Sequence, residues 1–141
     1  NGDLFVESIT LTNAGWARLA LGEARPELFV RHLGLALQMG NEDGVGYGLE
    51  GLAVCAAVSG DVERAGVLLG AAETARKRTG MIEQRSYITF QPFVERVLAS
   101  EAAAAFETGR TRGRAMSRRD ALDLAFGPDT PEASSRPSME R

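Results

Sequence analysis

Residues 45–80, VGYGLEGLAVCAAVSGDVERAGVLLGAAETARKRTG, constrain the fold more than any other stretch of the chain. Val45, Leu49, Leu52, Ala53 and Ala56 recur at i, i+4, i+7, i+8 and i+11, a single apolar stripe on a helix. Val62, Ala65, Leu69 and Ala72 trace a second stripe, with Leu68 beside it. Between them, Gly60 can take the left-handed conformation that ends a helix, and Asp61 can cap the next one. Arg76, Lys77 and Arg78 fall in the last turn, where cations favour the helix dipole, and Gly80 follows as a stop. The small residues stand where two helix backbones must touch. This is the layout of a helical-repeat scaffold, a class that binds other proteins and rarely performs chemistry.

The same signals divide the rest of the chain. Residues 4–21 read as a first helix, with Phe5, Ile9, Thr12, Trp16, Leu19 and Ala20 on one broad face and Gly22 as its stop. Pro26 suits the first position of a second helix, because its missing N–H would have no partner there. That helix runs to Met39 through Phe29, Leu33, Ala36 and Leu37, and Gly40-Asn41 ends it. MIEQRS, 81–86, reads as a connector. A fifth helix is expected over 87–98, kinked or started late by Pro92. An Ala-rich sixth follows over 100–112, then a short seventh, RRDALDLAF, capped by Ser117 and stopped by Gly127-Pro128. The segment after Gly127 holds three of the five prolines and almost no apolar residues, so disorder is expected for 128–141. The helical domain is thus 1–127.

Composition narrows the function classes. The 141 residues suffice for one core, and a low aromatic content of 6% suits close-packed helices better than a sheet. A net charge of -3 gives no global pull toward nucleic acid or anionic lipid. The longest apolar run, Leu52 to Val58, is too short to cross a bilayer. The chain starts in mid-pattern without an initiator Met, and the expectation is a piece of a longer cytoplasmic protein. Cys55, the single cysteine, reads as a small buried hydrophobe.

An internal repeat links the two hairpins. LALGEARPEL parallels AVSGDVERAG at an offset of 38 residues, with Gly22 answering Gly60. The second pair resembles a tetratricopeptide repeat in Leu52-Ala53, Gly60-Asp61, Ala65 and Ala72; the first, with Ala14-Gly15 and Gly22-Glu23, has one extra residue in its turn. NAGWARLALGE, GLEGLAVCAAVSGDVERAGVLLGAAETAR and GRAMSRRDALDLAF together are similar to the C-terminal tetratricopeptide-like helical region of large actinobacterial AfsR/LuxR-like transcriptional regulators, which carry a central ATPase module. At RSYITFQPF the chain departs from the uninterrupted Ala/Glu-rich helix of that family. The resemblance implies a sensor or interaction arm.

Chemistry is poorly supplied. Gly46-Tyr47-Gly48-Leu49-Glu50-Gly51 spells G-x-G-x-x-G, but a dinucleotide fingerprint needs a strand before it, and here a helix and a polar link precede it. There is no P-loop. One His and one Cys cannot make a structural zinc site, and His32 reads as a packing residue rather than a base. No catalytic, cofactor-binding or metal-binding residue is expected, and no cofactor. Arg110, Arg112, Arg114, Arg118 and Arg119 could neutralise phosphates, yet no stacking aromatics interleave them, and residues 110–141 carry 7 basic against 5 acidic side chains.

The expected fold is all-α: antiparallel, tetratricopeptide-like hairpins in a right-handed solenoid, with a C-terminal helical cap and about seven helices. The expected function is a non-catalytic protein-interaction arm of a larger transcriptional regulator. The partner is another domain of that regulator or a signalling protein, and a homodimer is compatible with this. Asn13, Trp16, Arg18, Tyr47 and Glu50 are the candidate partner-binding residues, on the first helices of the two pairs, where a concave groove would form. The alternatives are a small-molecule sensor with a pocket between helices and, third, DNA contact through the arginines at 110–119.

Overall fold

A computed structural model describes the backbone of residues 2–80 and 85–127 and the side chains of 3–80 and 91–127. The described residues are all-α: α1 (Gly2–Ala20), α2 (Pro26–Met39), α3 (Glu42–Val58), α4 (Val62–Thr79), α5 (Arg85–Leu98), α6 (Ala103–Ala115) and α7 (Arg118–Phe126). No strand occurs among them. Of the connector expected at 81–86, residues 81–84 lie outside the described residues, as does the tail at 128–141 expected to be disordered, while 85 and 86 belong to α5.

The punctuation marks act as the sequence suggested. Gly22 and Gly60 sit at φ of 82° and 88°, a conformation that costs a residue with a Cβ, so the chain reverses at equivalent points of both hairpins. Asn41 Oδ1 accepts from Gly44 N (3.1 Å), Asp61 Oδ1 from Arg64 N (3.3 Å) and Ser117 Oγ from Asp120 N (3.0 Å), each satisfying a helix-start donor that would otherwise lack a partner. Several boundaries move, among them the start of α1, at Gly2 rather than residue 4, and the end of α6, at Ala115 rather than residue 112. α6 begins three residues later than expected because Ser100 turns the chain, its Oγ donating to Val97 O and accepting from Ala102 N. α5 begins earlier, at Arg85, and runs through Pro92.

Consecutive helices fold back on each other in the pairs α1–α2 and α3–α4, and α2 packs on α3. The core lies between them. Phe29, Leu33 and Ala36 of α2, Val45 and Leu49 of α3 and Leu68 and Ala72 of α4 are all 0–1% exposed. Burying each large side chain stabilises the fold by roughly 1.5–3 kcal/mol. Phe106 of α6 and Leu122 and Phe126 of α7 extend this core past α4.

The most extensive contact between two helices is α4 with α6, and sequence periodicity did not flag it. Gly66 and Gly70 on α4 meet Gly109 and Gly113 on α6. A Cβ on Gly66 would overlap the carbonyl of Phe106, and one on Gly70 the carbonyl of Arg110. In return, Gly109 faces the carbonyl of Glu63 and Gly113 that of Val67. Four glycines, spaced four apart on each helix, let the two backbones lie directly against each other. Of the C-terminal helices, α6 is thereby locked into α4, α7 packs beside it on α4, and α5 packs on α3 and α6.

Candidate interaction surface

α1 is covered on one side only. Its contacts go to α2 and, less extensively, to α3. Leu19 and Gly15 face inward, and Gly15 leaves room for the ring of Phe29. The opposite side carries Phe5, Val6 and Ile9, which are 52%, 61% and 44% exposed, with Thr10, Asn13, Ala14 and Ala17 continuing the face one to two turns on. Leu21, in the turn after α1, is exposed as well. Scattered exposed apolar residues need no explanation, but three within one and a half turns form a patch.

The five candidate residues divide between this surface and the interior. Asn13 and Arg18 are exposed on α1, and Arg18 Nη1 donates to Glu23 Oε2 at 3.2 Å. Trp16 is half-buried, edge-on to Phe29, with ring centroids 5.5 Å apart and planes at 72°. It is partly a packing residue, and such an aromatic pair adds about 0.5–1.5 kcal/mol beyond the area it buries.

Tyr47 and Glu50 are placed otherwise than the groove expected. Glu50 is 2% exposed and Arg76 3%, and Arg76 Nε donates to the Glu50 carboxylate. The Arg76 guanidinium also lies 4.5 Å from the centre of the Tyr47 ring, a cation–π contact. Burial alone would lower the Arg76 pKa, but the hydrogen bond and attraction of Glu50, helped by Tyr47, win and raise it above its ordinary value. A carboxylate enclosed in this way cannot meet a partner. Glu50 pins α3 to α4, and Arg76 stands in the last turn of α4, where the sequence placed it, but buried.

His32 is buried, as expected of a packing residue, and its polar atoms are occupied. Nε2 lies 2.9 Å from Gly44 O, and Nδ1 lies 2.8 Å from Ser8 Oγ and 3.0 Å from Ser8 O. A Ser–His contact can be a nucleophile and its base, but here Ser8 is 2% exposed and His32 4%. No substrate reaches the hydroxyl, and a carbonyl stands where an orienting carboxylate would be needed. The contact instead ties α1 and α2 to the first turn of α3. Cys55 is likewise enclosed, and burial pushes its thiol up from 9.0 to about 11, against a smaller opposing hydrogen bond from the Arg25 backbone and with a smaller push from Glu27. Such a thiol is protonated and inert at neutral pH.

The G-x-G-x-x-G run lies inside α3 and serves packing. Gly46 faces the Arg76 side chain, Gly48 faces His32 and Leu33, and Gly51 faces the ring of Phe29. No strand precedes it, and no backbone N–H is left to cradle a phosphate.

The arginines of α6 and α7 are matched by carboxylates of α3, α4 and α6. Glu73 accepts from Arg110 Nε at 2.6 Å and from Arg114 Nε at 2.7 Å; Glu63 accepts from Arg112; Glu42 accepts from Arg118 Nε at 3.1 Å. Glu107 also accepts from Arg110 Nη1, at 3.3 Å. The basic cluster is one side of a charge seam along the α4–α6 crossing.

Among the described residues, no three His, Cys, Asp or Glu side chains are grouped to hold a metal ion, and no helix is long and apolar enough to cross a membrane. Comparison with protein-family models, with curated proteins and with solved structures finds no match to this chain.

Proposed function

We propose that the chain is a non-catalytic interaction module that engages another protein domain through the outer face of α1, around Phe5, Val6, Ile9 and Asn13. The observation that carries this reading is the one-sided covering of α1, which leaves large apolar side chains in water beside polar ones. That mixture suits the centre and rim of a protein interface. The enclosure of Ser8, His32, Cys55 and Glu50 supports a structural rather than a chemical use of the residues best suited to catalysis. The neutralised arginines of α6 weigh against a polyanion as the partner. On the resemblance of its sequence, the module belongs to a larger ATPase-containing transcriptional regulator in the cytoplasm, as a tetratricopeptide-like arm that contacts the regulator's other domains.

A photo-crosslinking amino acid tests this at Asn13 and, as a control, at Lys77, exposed at the end of α4. In cells producing the full-length protein, the Asn13 probe is expected to yield one discrete adduct and the Lys77 probe none. If Asn13 gives no adduct, or the same set as Lys77, the α1 face is not the docking surface.

A further inference from the structure

A cleft of about 270 Å³ opens between the start of α2, the C-terminal half of α3 and the start of α4. Two other recesses in the fold hold about 10 Å³ each, room for a single water. The floor of the large cleft is apolar: Leu52, Cys55, Ala56 and Leu68 are all buried, with Pro26 at the edge. Ser59, Asp61 and Arg64 form its polar side. The thiol at the floor is protonated, so it adds no charge.

The two charged residues are held ready. Arg64 Nη2 donates to Leu124 O of α7 at 2.9 Å, which fixes the guanidinium; among the described residues its other side-chain donors have no protein acceptor. Asp61 uses Oδ1 to cap α4. Among the described residues neither makes an ion pair, with the other or with any third residue, although a carboxylate and a guanidinium line the same cleft. A ligand that carries both charges side by side satisfies this arrangement. A ligand of one sign would leave the opposing residue repelling it.

We propose that this cleft binds a small zwitterion with an apolar body, of the class of the aliphatic α-amino acids. Its carboxylate meets Arg64, its ammonium meets Asp61, and its side chain lies on Leu52, Ala56 and Leu68. The volume suits roughly ten non-hydrogen atoms, scaling from a cavity of about 150 Å³ that holds benzene. This site is separate from the α1 face and stands or falls independently of it.

Titration calorimetry on the 141-residue chain tests the proposal with L-leucine, with 4-methylpentanoate, which lacks the ammonium, and with 3-methylbutylamine, which lacks the carboxylate. L-Leucine is expected to bind saturably at one site per chain, and each analogue at least tenfold more weakly. Arg64→Gln is expected to weaken L-leucine at least tenfold without weakening the amine. Asp61→Asn, which keeps a capping side chain, is expected to weaken L-leucine while sparing 4-methylpentanoate. Ser59→Phe, at the exposed rim, is expected to block all three ligands with the melting transition intact. The proposal is overturned if L-leucine, L-methionine and L-phenylalanine all show no saturable binding up to about 10 mM, well beyond a weak Kd of 1 mM. It is overturned equally if the analogues match L-leucine, or if both charge variants, folded by circular dichroism, keep its affinity within twofold.

Discussion

The ion pair of Glu50 and Arg76 shows how the same two residues read differently alone and together. In sequence each is an ordinary surface charge on its own helix, 26 positions apart. In the fold, each is what makes the other tolerable away from water. Removing one partner strands a buried charge, which costs about 3–5 kcal/mol, whereas replacing both with apolar residues of similar volume is close to neutral. Glu50→Leu and Arg76→Met are therefore each expected to lower urea-unfolding stability by several kcal/mol, and the two combined by much less than the sum. Additive losses would show that the two side chains do not act as a pair.

At the scale of helices, the crossing of α4 and α6 sets the tolerances. Alanine normally stabilises a helix over glycine by about 1 kcal/mol, and at Gly34 of α2, where nothing lies within 4 Å of the added methyl, Gly34→Ala is expected to do so. At Gly70 or Gly113 the same change drives a methyl into a backbone carbonyl of the other helix. The chain can relieve that only by separating α4 from α6, so Gly70→Ala and Gly113→Ala are expected to destabilise by about 1–3 kcal/mol or more despite the better helix former. Chemical denaturation of the three variants side by side checks the sign. If Gly70→Ala is as stabilising as Gly34→Ala, the backbones do not touch.

Elements with strong local signals were legible in sequence, and their pairing was less so. The limits of α2, α4 and α7 follow from Pro26, Asp61, Ser117 and the glycines that stop them, because capping is a local reaction between neighbouring residues, while Asn41, read as part of the stop of α2, also caps α3. The α3–α4 pairing was legible because apolar stripes on consecutive helices have to meet. The α4–α6 pairing was not, because glycine contributes nothing to an apolar stripe. Its trace is the spacing itself, Gly66 with Gly70 and Gly109 with Gly113, two small-residue steps of four that match only when compared. Of the candidate surface, Asn13 and Arg18 were legible as exposed, while Glu50 needed knowledge of a long-range partner.

For the whole molecule, α4 is the element on which the rest converges. It packs on α3, α6 and α7, and its carboxylates Glu63 and Glu73 hold the arginines of α6. A chain ended after Leu98 would keep both N-terminal hairpins but expose Phe106's place in the core and the glycine face of α4. It is expected to lose its cooperative thermal transition and to bind a hydrophobic dye, not to survive as a smaller stable unit. A sharp melt from that fragment would show that the two hairpins fold alone.

The glycine crossing also has a consequence in time. A ribosome adds about 5–20 residues per second, so the stretch from Thr79 to Ala115 takes seconds to emerge, while a helix forms in microseconds or less. For that interval α4 exists beside α3 with a strip of bare main chain facing outward and its mate still unmade. Each nascent chain passes through a window in which the α4 of a neighbouring copy offers the same four-residue step, and the order of synthesis leaves it open until α6 arrives.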